Sequence, residues 1–138
     1  MNNKYFTIIT FYQFKIIKDK KDIITKLKDF CKFNKIKGTI LIADEGINGT
    51  IAGLEKNINS FIPFLENFSF EKLNLKRSKY KYMPFQKLKI RNKNEIVTLR
   101  TKFSDPTKIS GEKIKYSEWN KLIKNKETIV IDVRNEFE

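Results

Sequence analysis

A chain of 138 residues with 40% apolar content has the length and core material for one ordinary domain and is short for two. It contains no histidine and a single cysteine, Cys31, which removes the commonest general base, the commonest transition-metal ligand, and any internal disulfide framework or cysteine-cluster metal site. The formal net charge of +13 suits a polyanionic partner, but a composition rich in Lys, Ile and Asn with only four arginines (Arg77, Arg91, Arg100, Arg134) also follows from A/T-rich coding.

No apolar run approaches the ~18 residues of a membrane span. The opening MNNKYFTIITFYQF lacks the layout and cleavage site of a signal peptide. The expectation is a cytoplasmic protein without a membrane partner.

Residues 4–12, KYFTIITFY, are aromatic and β-branched and predict a first strand. Phe6, Ile8 and Tyr12 share one face; Tyr5, Ile9 and Phe11 share the other. Apolar residues on both faces predict a central strand. Asp19 then suits the N-cap of a helix over about 20–34, in which Ile23, Ile24, Leu27, Phe30, Cys31 and Asn34 recur at helical spacing. Cys31 falls on that apolar stripe, where a free thiol is a small core residue rather than a reactive one.

The stretch GTILIADEGINGTIAG, residues 38–53, predicts a β-hairpin. Thr39–Ala43 reads as a strand buried on both faces. Gly46, Asn48 and Gly49 supply a tight reversal, and Thr50–Ala52 runs back. A second helix fits 55–67 through Ile58, Phe61, Ile62, Leu65 and Phe68, with Pro63 predicting a kink or a later start. Residues 71–79 alternate through Leu73 and Leu75 as a half-buried strand. The order strand, helix, strand, strand, helix, strand is the split βαβ plan: an α+β fold, ferredoxin-like or acylphosphatase-like, with an antiparallel sheet and two helices on one face.

From Lys72 to Lys93 the chain carries nine basic residues and no acidic one. Lys76, Arg77, Lys79, Lys81, Lys87, Lys89 and Arg91, with Tyr80 and Tyr82, are the candidate RNA-binding residues, and Phe85 is a third ring interleaved in the run. Cations meet phosphates and rings stack on bases, a combination suited to single-stranded or looped RNA. One cationic, tyrosine-bearing rim is expected. The competing reading is a solvated edge of a lysine-rich protein.

Residues 86–99 predict two short extended pieces around Asn92–Lys93–Asn94, and Asp105–Pro106 with Ser110–Gly111 mark a linker. Ser117 suits the cap of a short helix with Trp119, Leu122 and Ile123 as its apolar contacts. Thr128–Val133 reads as a strongly apolar strand. The predicted organisation is a split-βαβ domain over 1–100, a linker with a short helix over 101–127, and the opening strand of a second, incomplete domain over 128–138.

LIADEGINGTIAG (41–53), PFQKLKIRNKNEIVTL (84–99), YSEWNKLI (116–123) and VIDVRNEFE (130–138) together resemble, in order and over nearly the whole chain, the tRNA uridine(34) hydroxylases, rhodanese-related proteins of the YceA type. The resemblance implies an acylphosphatase-like domain followed by a rhodanese domain. It implies hydroxylation at carbon 5 of the wobble uridine, with molecular oxygen as co-substrate and the anticodon arm of tRNA as partner. It places the family's essential cysteine after the DVRN strand, beyond Glu138, so that no residue here matches as catalytic and Cys31 is no counterpart. No metal and no other cofactor is assigned to this chain. Glu45, Gly46, Ile47, Asn48 and Gly49 stand at the hairpin motif; Phe85, Leu88, Lys89, Ile96 and Val97 at the second motif; Asp132, Val133, Arg134 and Asn135 at the opening of the rhodanese domain. Arg100 departs from the family's usual glycine. Glu45 and Asn48 either shape the turn or face the substrate, the carboxylate then serving as base or as acceptor for a uridine edge. Two other functions remain open: a stand-alone basic module that binds RNA or protein, and an acylphosphatase, for which only Gln13 and Lys15 occupy the region where an arginine-bearing phosphate cradle is needed.

Overall fold

The structure is a computed structural model that describes residues 5–96, 107 and 111–132. Among the described residues eight elements follow one another: β1 (Phe6–Phe14), α1 (Lys20–Phe33), β2 (Lys37–Ala43), β3 (Gly46–Leu54), α2 (Glu55–Glu66), β4 (Asn74–Tyr80), β5 (Leu88–Asn92) and α3 (Tyr116–Ile123). The sheet order is β4-β1-β3-β2-β5. Among the first four strands every neighbouring pair is antiparallel, in the split βαβ arrangement. β5 adds alongside β2 in parallel, so the five-stranded sheet is mixed rather than purely antiparallel. Of the two extended pieces expected over 86–99, the first is β5; residues 97–99 lie outside the described residues.

β1 is central, flanked by β3 and β4, as its two apolar faces predict. Thr7, Ile9 and Phe11 are buried beneath the helices, while Phe6, Ile8 and Tyr12 are half-buried on the other side. α1 is capped at Asp19, whose side chain accepts a hydrogen bond from the Asp22 amide at 3.3 Å. It buries Ile23, Leu27 and Cys31. α2 starts at Glu55 and continues through Pro63, neither of which the proline signal predicts. Pro63 and Asn59 are both exposed, so the carbonyl that a Pro63 amide would have engaged, that of Asn59, turns to water instead of being stranded in the core. Ile58, Phe61 and Leu65 face inward. Phe30 stacks on Phe64 at 4.1 Å between ring centroids, and Phe61 meets Phe11 at 5.4 Å, joining both helices to the sheet.

The hairpin forms, but its reversal is not where the glycines suggest. Ala43 pairs with Gly46, so the turn is Asp44–Glu45 alone. Asn48 and Gly49 lie inside β3, bonded to strands on both sides. β2 is buried on one face only: Ile40 and Ile42 are covered, while Thr39 and Leu41 remain half-exposed. A sheet with helices on one side leaves its other side open.

α3 begins two residues earlier than a cap at Ser117 predicts, with Lys115 in the capping position and no side-chain cap. Trp119, Leu122 and Ile123 are not buried contacts; all three are exposed, and no residue of α3 is buried. Residues 128–132 carry no strand, and Ile129, Val130 and Ile131 lie exposed. Val133 onward lies outside the described residues, as does Arg100.

Candidate nucleic-acid interface

Directly opposed residues in a ladder share a face, so the register sorts the basic run. Thr7, Ile9 and Phe11 point toward the helices, and opposite them stand Lys79, Arg77 and Leu75. Arg77 and Lys79 therefore turn to the helix side. There the Arg77 guanidinium donates to Asn59 Oδ1 at 2.8 Å, and Lys79 pairs with Glu55 at 3.1 Å. Both partners are on α2. Lys76, Ser78 and Tyr80 point to the open face, as do Lys89 and Arg91 opposite Thr39 and Leu41.

Two rows cross the open face from edge to edge. One runs Lys76, Thr10, Thr50, Thr39, Lys89, with Thr10 and Thr50 hydroxyls 3.1 Å apart. The next runs Asn74, Tyr12, Asn48, Leu41, Arg91. Asn48 is thus a surface residue of the open face, half-buried between Tyr12 and Leu41. No strand residue that faces this side is acidic, among the described residues.

The single rim expected from the sequence is not formed as such. β4 and β5 are the two outer strands, four spacings or ~19 Å apart. The connector 81–87 spans that gap with seven residues, which reach at most ~25 Å when extended. It joins Tyr80, opposite Phe6, to Leu88, opposite Gly38, and so crosses at the end of the sheet where β1 starts. Lys81, Tyr82 and Lys87 ride on it. Tyr80 and Tyr82 meet edge to face at 6.3 Å, with the Lys81 ammonium 5.7 Å from the Tyr82 ring. The outcome is a cationic frame around three sides of the open face: Lys76 on one edge, Lys81 and Lys87 along the end, Lys89 and Arg91 on the other edge.

Glu45 belongs to a different part of the molecule from Lys81 and Tyr82. Its carboxylate accepts the Ile96 amide at 2.6 Å, and its carbonyl accepts the Lys15 amide at 2.9 Å. The side chain fastens the segment leaving β5 to the hairpin turn. Asp44 beside it pairs with Lys20 at 2.7 Å.

Sequence reasoning missed Tyr12 as a site residue, although its ring lies beside Asn48 and carries Lys113. The Lys113 ammonium hydrogen-bonds the Tyr12 hydroxyl and sits 5.0 Å from its ring centroid. A signal was present, since Tyr12 was already placed on the strand face opposite Ile9 and Phe11.

Cys31 is fully buried, and burial pushes its thiol from 9.0 up to about 12. It carries no thiolate near neutrality. Lys15, where a phosphate cradle would stand, instead donates to the Ser69 carbonyl at 2.6 Å, and Gln13 Oε1 accepts the Lys72 amide at 3.1 Å. Among the described residues no group of three or more His, Cys, Asp or Glu side chains is placed to hold a metal, and no helix is long and apolar enough to cross a membrane.

The model of the UPF0176 acylphosphatase like domain matches residues 6–96, the span of the sheet and its two packed helices. Over 136 residues the chain is 41% identical to a protein of Nitrobacter winogradskyi named tRNA uridine(34) hydroxylase, covering 95% of this chain and 53% of that one. A protein of the same name from Acaryochloris marina is 40% identical over 134 residues, 96% of this chain and 43% of its own. The chain spans about half the length of the curated relatives it matches. Among solved structures, Klebsiella pneumoniae BlrP1 with FMN and cyclic diGMP shares the fold, with a TM-score of 0.50 at 14% identity over 64% of this chain and 25% of that one.

Proposed function

The chain belongs to the family of the UPF0176 acylphosphatase like domain, and from that premise we propose that it is the tRNA-facing N-terminal part of a tRNA uridine(34) hydroxylase. The reaction assigned to the longer protein is hydroxylation of the wobble uridine at carbon 5 with molecular oxygen, in the cytoplasm. A reactive sulfur for that reaction is not assigned to Cys31, which is enclosed in the core and holds its proton. The part played here is to receive the anticodon arm.

The observation that carries this reading is the open face: free of acidic strand residues, crossed by Thr10, Thr50, Thr39 and Asn48, and framed by lysines and Arg91 on three sides. Phosphates meet the frame, and the bases of a loop meet Tyr12, Asn48 and the threonine row. Relatives at about 40% identity bear the hydroxylase name.

The test is anisotropy titration of residues 1–138 with an unmodified tRNA carrying uridine at position 34, across 50–200 mM salt. Binding is expected to weaken steeply as salt rises. Lys76→Glu with Arg91→Glu should cost about tenfold or more in affinity and lower the salt slope by about 2. Lys79→Ala, on the helix side, should leave affinity within about twofold. No hydroxylated uridine should form. Equal losses from the two faces would overturn the docking assignment, and hydroxylation by this chain alone would overturn the division of labour.

A further inference from the structure

The connector 81–87 does more than carry charge. Where it meets β5 it borders an open surface cavity of about 230 Å³ lined by Thr39, Pro84, Phe85, Gln86, Lys87 and Lys89. Thr39 and Lys89 are opposed on the β2–β5 ladder and both point to the open face, so the cavity opens onto that face. The Lys87 carbonyl accepts the Gly38 amide at 3.2 Å, which pins the connector to the sheet.

We infer that this cavity is a nucleotide subsite that takes one unstacked nucleotide of the bound RNA loop; the inference rests on the tRNA-docking reading above. Size supports a single unit, since the volume is below the ~300 Å³ at which cofactor-sized pockets begin. The lining is suited to all three parts of a nucleotide. Phe85 and Pro84 offer flat apolar contact to a base. The Gln86 amide and the Thr39 hydroxyl each combine a donor with an acceptor and so can pair with a base edge. Lys87 and Lys89 provide two cations for the flanking phosphates, and no lining residue is acidic. The threonine row leads from this cavity across the sheet toward Lys76, giving the adjoining nucleotides a polar track.

The experiment uses an anticodon stem-loop and a set of its variants, each with one loop position made abasic, titrated against the full chain. For the unaltered protein, one abasic position should cost about 5- to 150-fold, the range of a lost base–aromatic stack. For Phe85→Ala that same position should cost less than about twofold, because the stacking partner is already gone. Lys87→Ala with Lys89→Ala keeps Phe85 in place and should lower the salt slope by about 1.4. If Phe85→Ala binds the intact stem-loop as tightly as the unaltered protein, or every abasic position costs both proteins equally, the subsite is refuted while tRNA docking stands. If the unaltered protein fails to bind the intact stem-loop, the docking reading itself fails.

Discussion

At the scale of single residues, environment separates groups that composition lumps together. Cys31 is the chain's one thiol, and its place on the stripe of α1 decides its chemistry. Surrounded by core, it meets no cation and no helix N-terminus to stabilise a thiolate, so burial alone raises its pKa from 9.0 to about 12. The sign for stability follows. Above pH 9 the unfolded chain releases the thiol proton and the folded chain keeps it, so the unfolded state is favoured increasingly as pH rises from 9 toward 12. Native protein at pH 8 should resist a thiol reagent for hours and react at once in denaturant. Cys31→Ala should flatten the loss of stability between pH 9 and 11 relative to the parent, measured by urea unfolding; a rapid native reaction would remove Cys31 from the core. Glu45 makes the complementary point. Its residue type leaves a turn former and a substrate-facing carboxylate equally open; that it accepts an amide hydrogen bond from Ile96 only the path of the chain after β5 could reveal.

At the scale of elements, what was legible in the sequence was what local spacing determines. The 3.6-residue stripe and Asp19 located α1 to within a residue, and the alternation of β1 gave both its faces and its central place. Two features escaped for stated reasons. Residues 76–80, Lys-Arg-Ser-Lys-Tyr, are polar at every position, so no alternation shows which side chains turn inward; the ladder with β1 settles it. The parallel pairing of β5 depends on where a connector of seven residues delivers it, a non-local matter. The hairpin shows how a motif can be recognised and its glycines still be misassigned. Gly46 follows the turn rather than making it, with φ of 153°, and a Cβ there would lie 2.2 Å from the Gln13 carbonyl oxygen of β1. The closeness comes from the β1–β3 pairing of Phe14 with Gly46. Gly46→Ala should therefore cost more than about 2 kcal/mol in urea unfolding, by strain and by forcing β1 from β3. A cost below about 0.5 kcal/mol, the ordinary range of a surface change, would mean the two strands are not held at this distance.

At the scale of the whole molecule, the two sides of the sheet have different work. Among the described residues, one side buries fifteen apolar residues from the sheet, both helices and the loops that flank them in a single cluster, and it supplies the stability. The other is left half-wet and basic, available to a partner. Residues 111–132 stand outside this division, since they contribute no buried side chain, and within them Lys113 reaches the sheet at Tyr12. Stability and tail should then be separable. Trypsin has exposed targets at Lys115, Lys121, Lys124 and Lys126, and cleavage after Lys115 removes α3 while leaving Lys113 on its ring. For a domain of 60–100 residues a change of 1 kcal/mol moves the melting temperature by about 4–8 °C. Brief digestion should yield a species ending near Lys115 that melts within about 4 °C of the parent, because α3 adds no buried area to the cluster. A fall of more than about 8 °C would show that α3 contributes over 1 kcal/mol to the core it was found not to touch, and the sheet with its two helices would cease to be the independent folding unit.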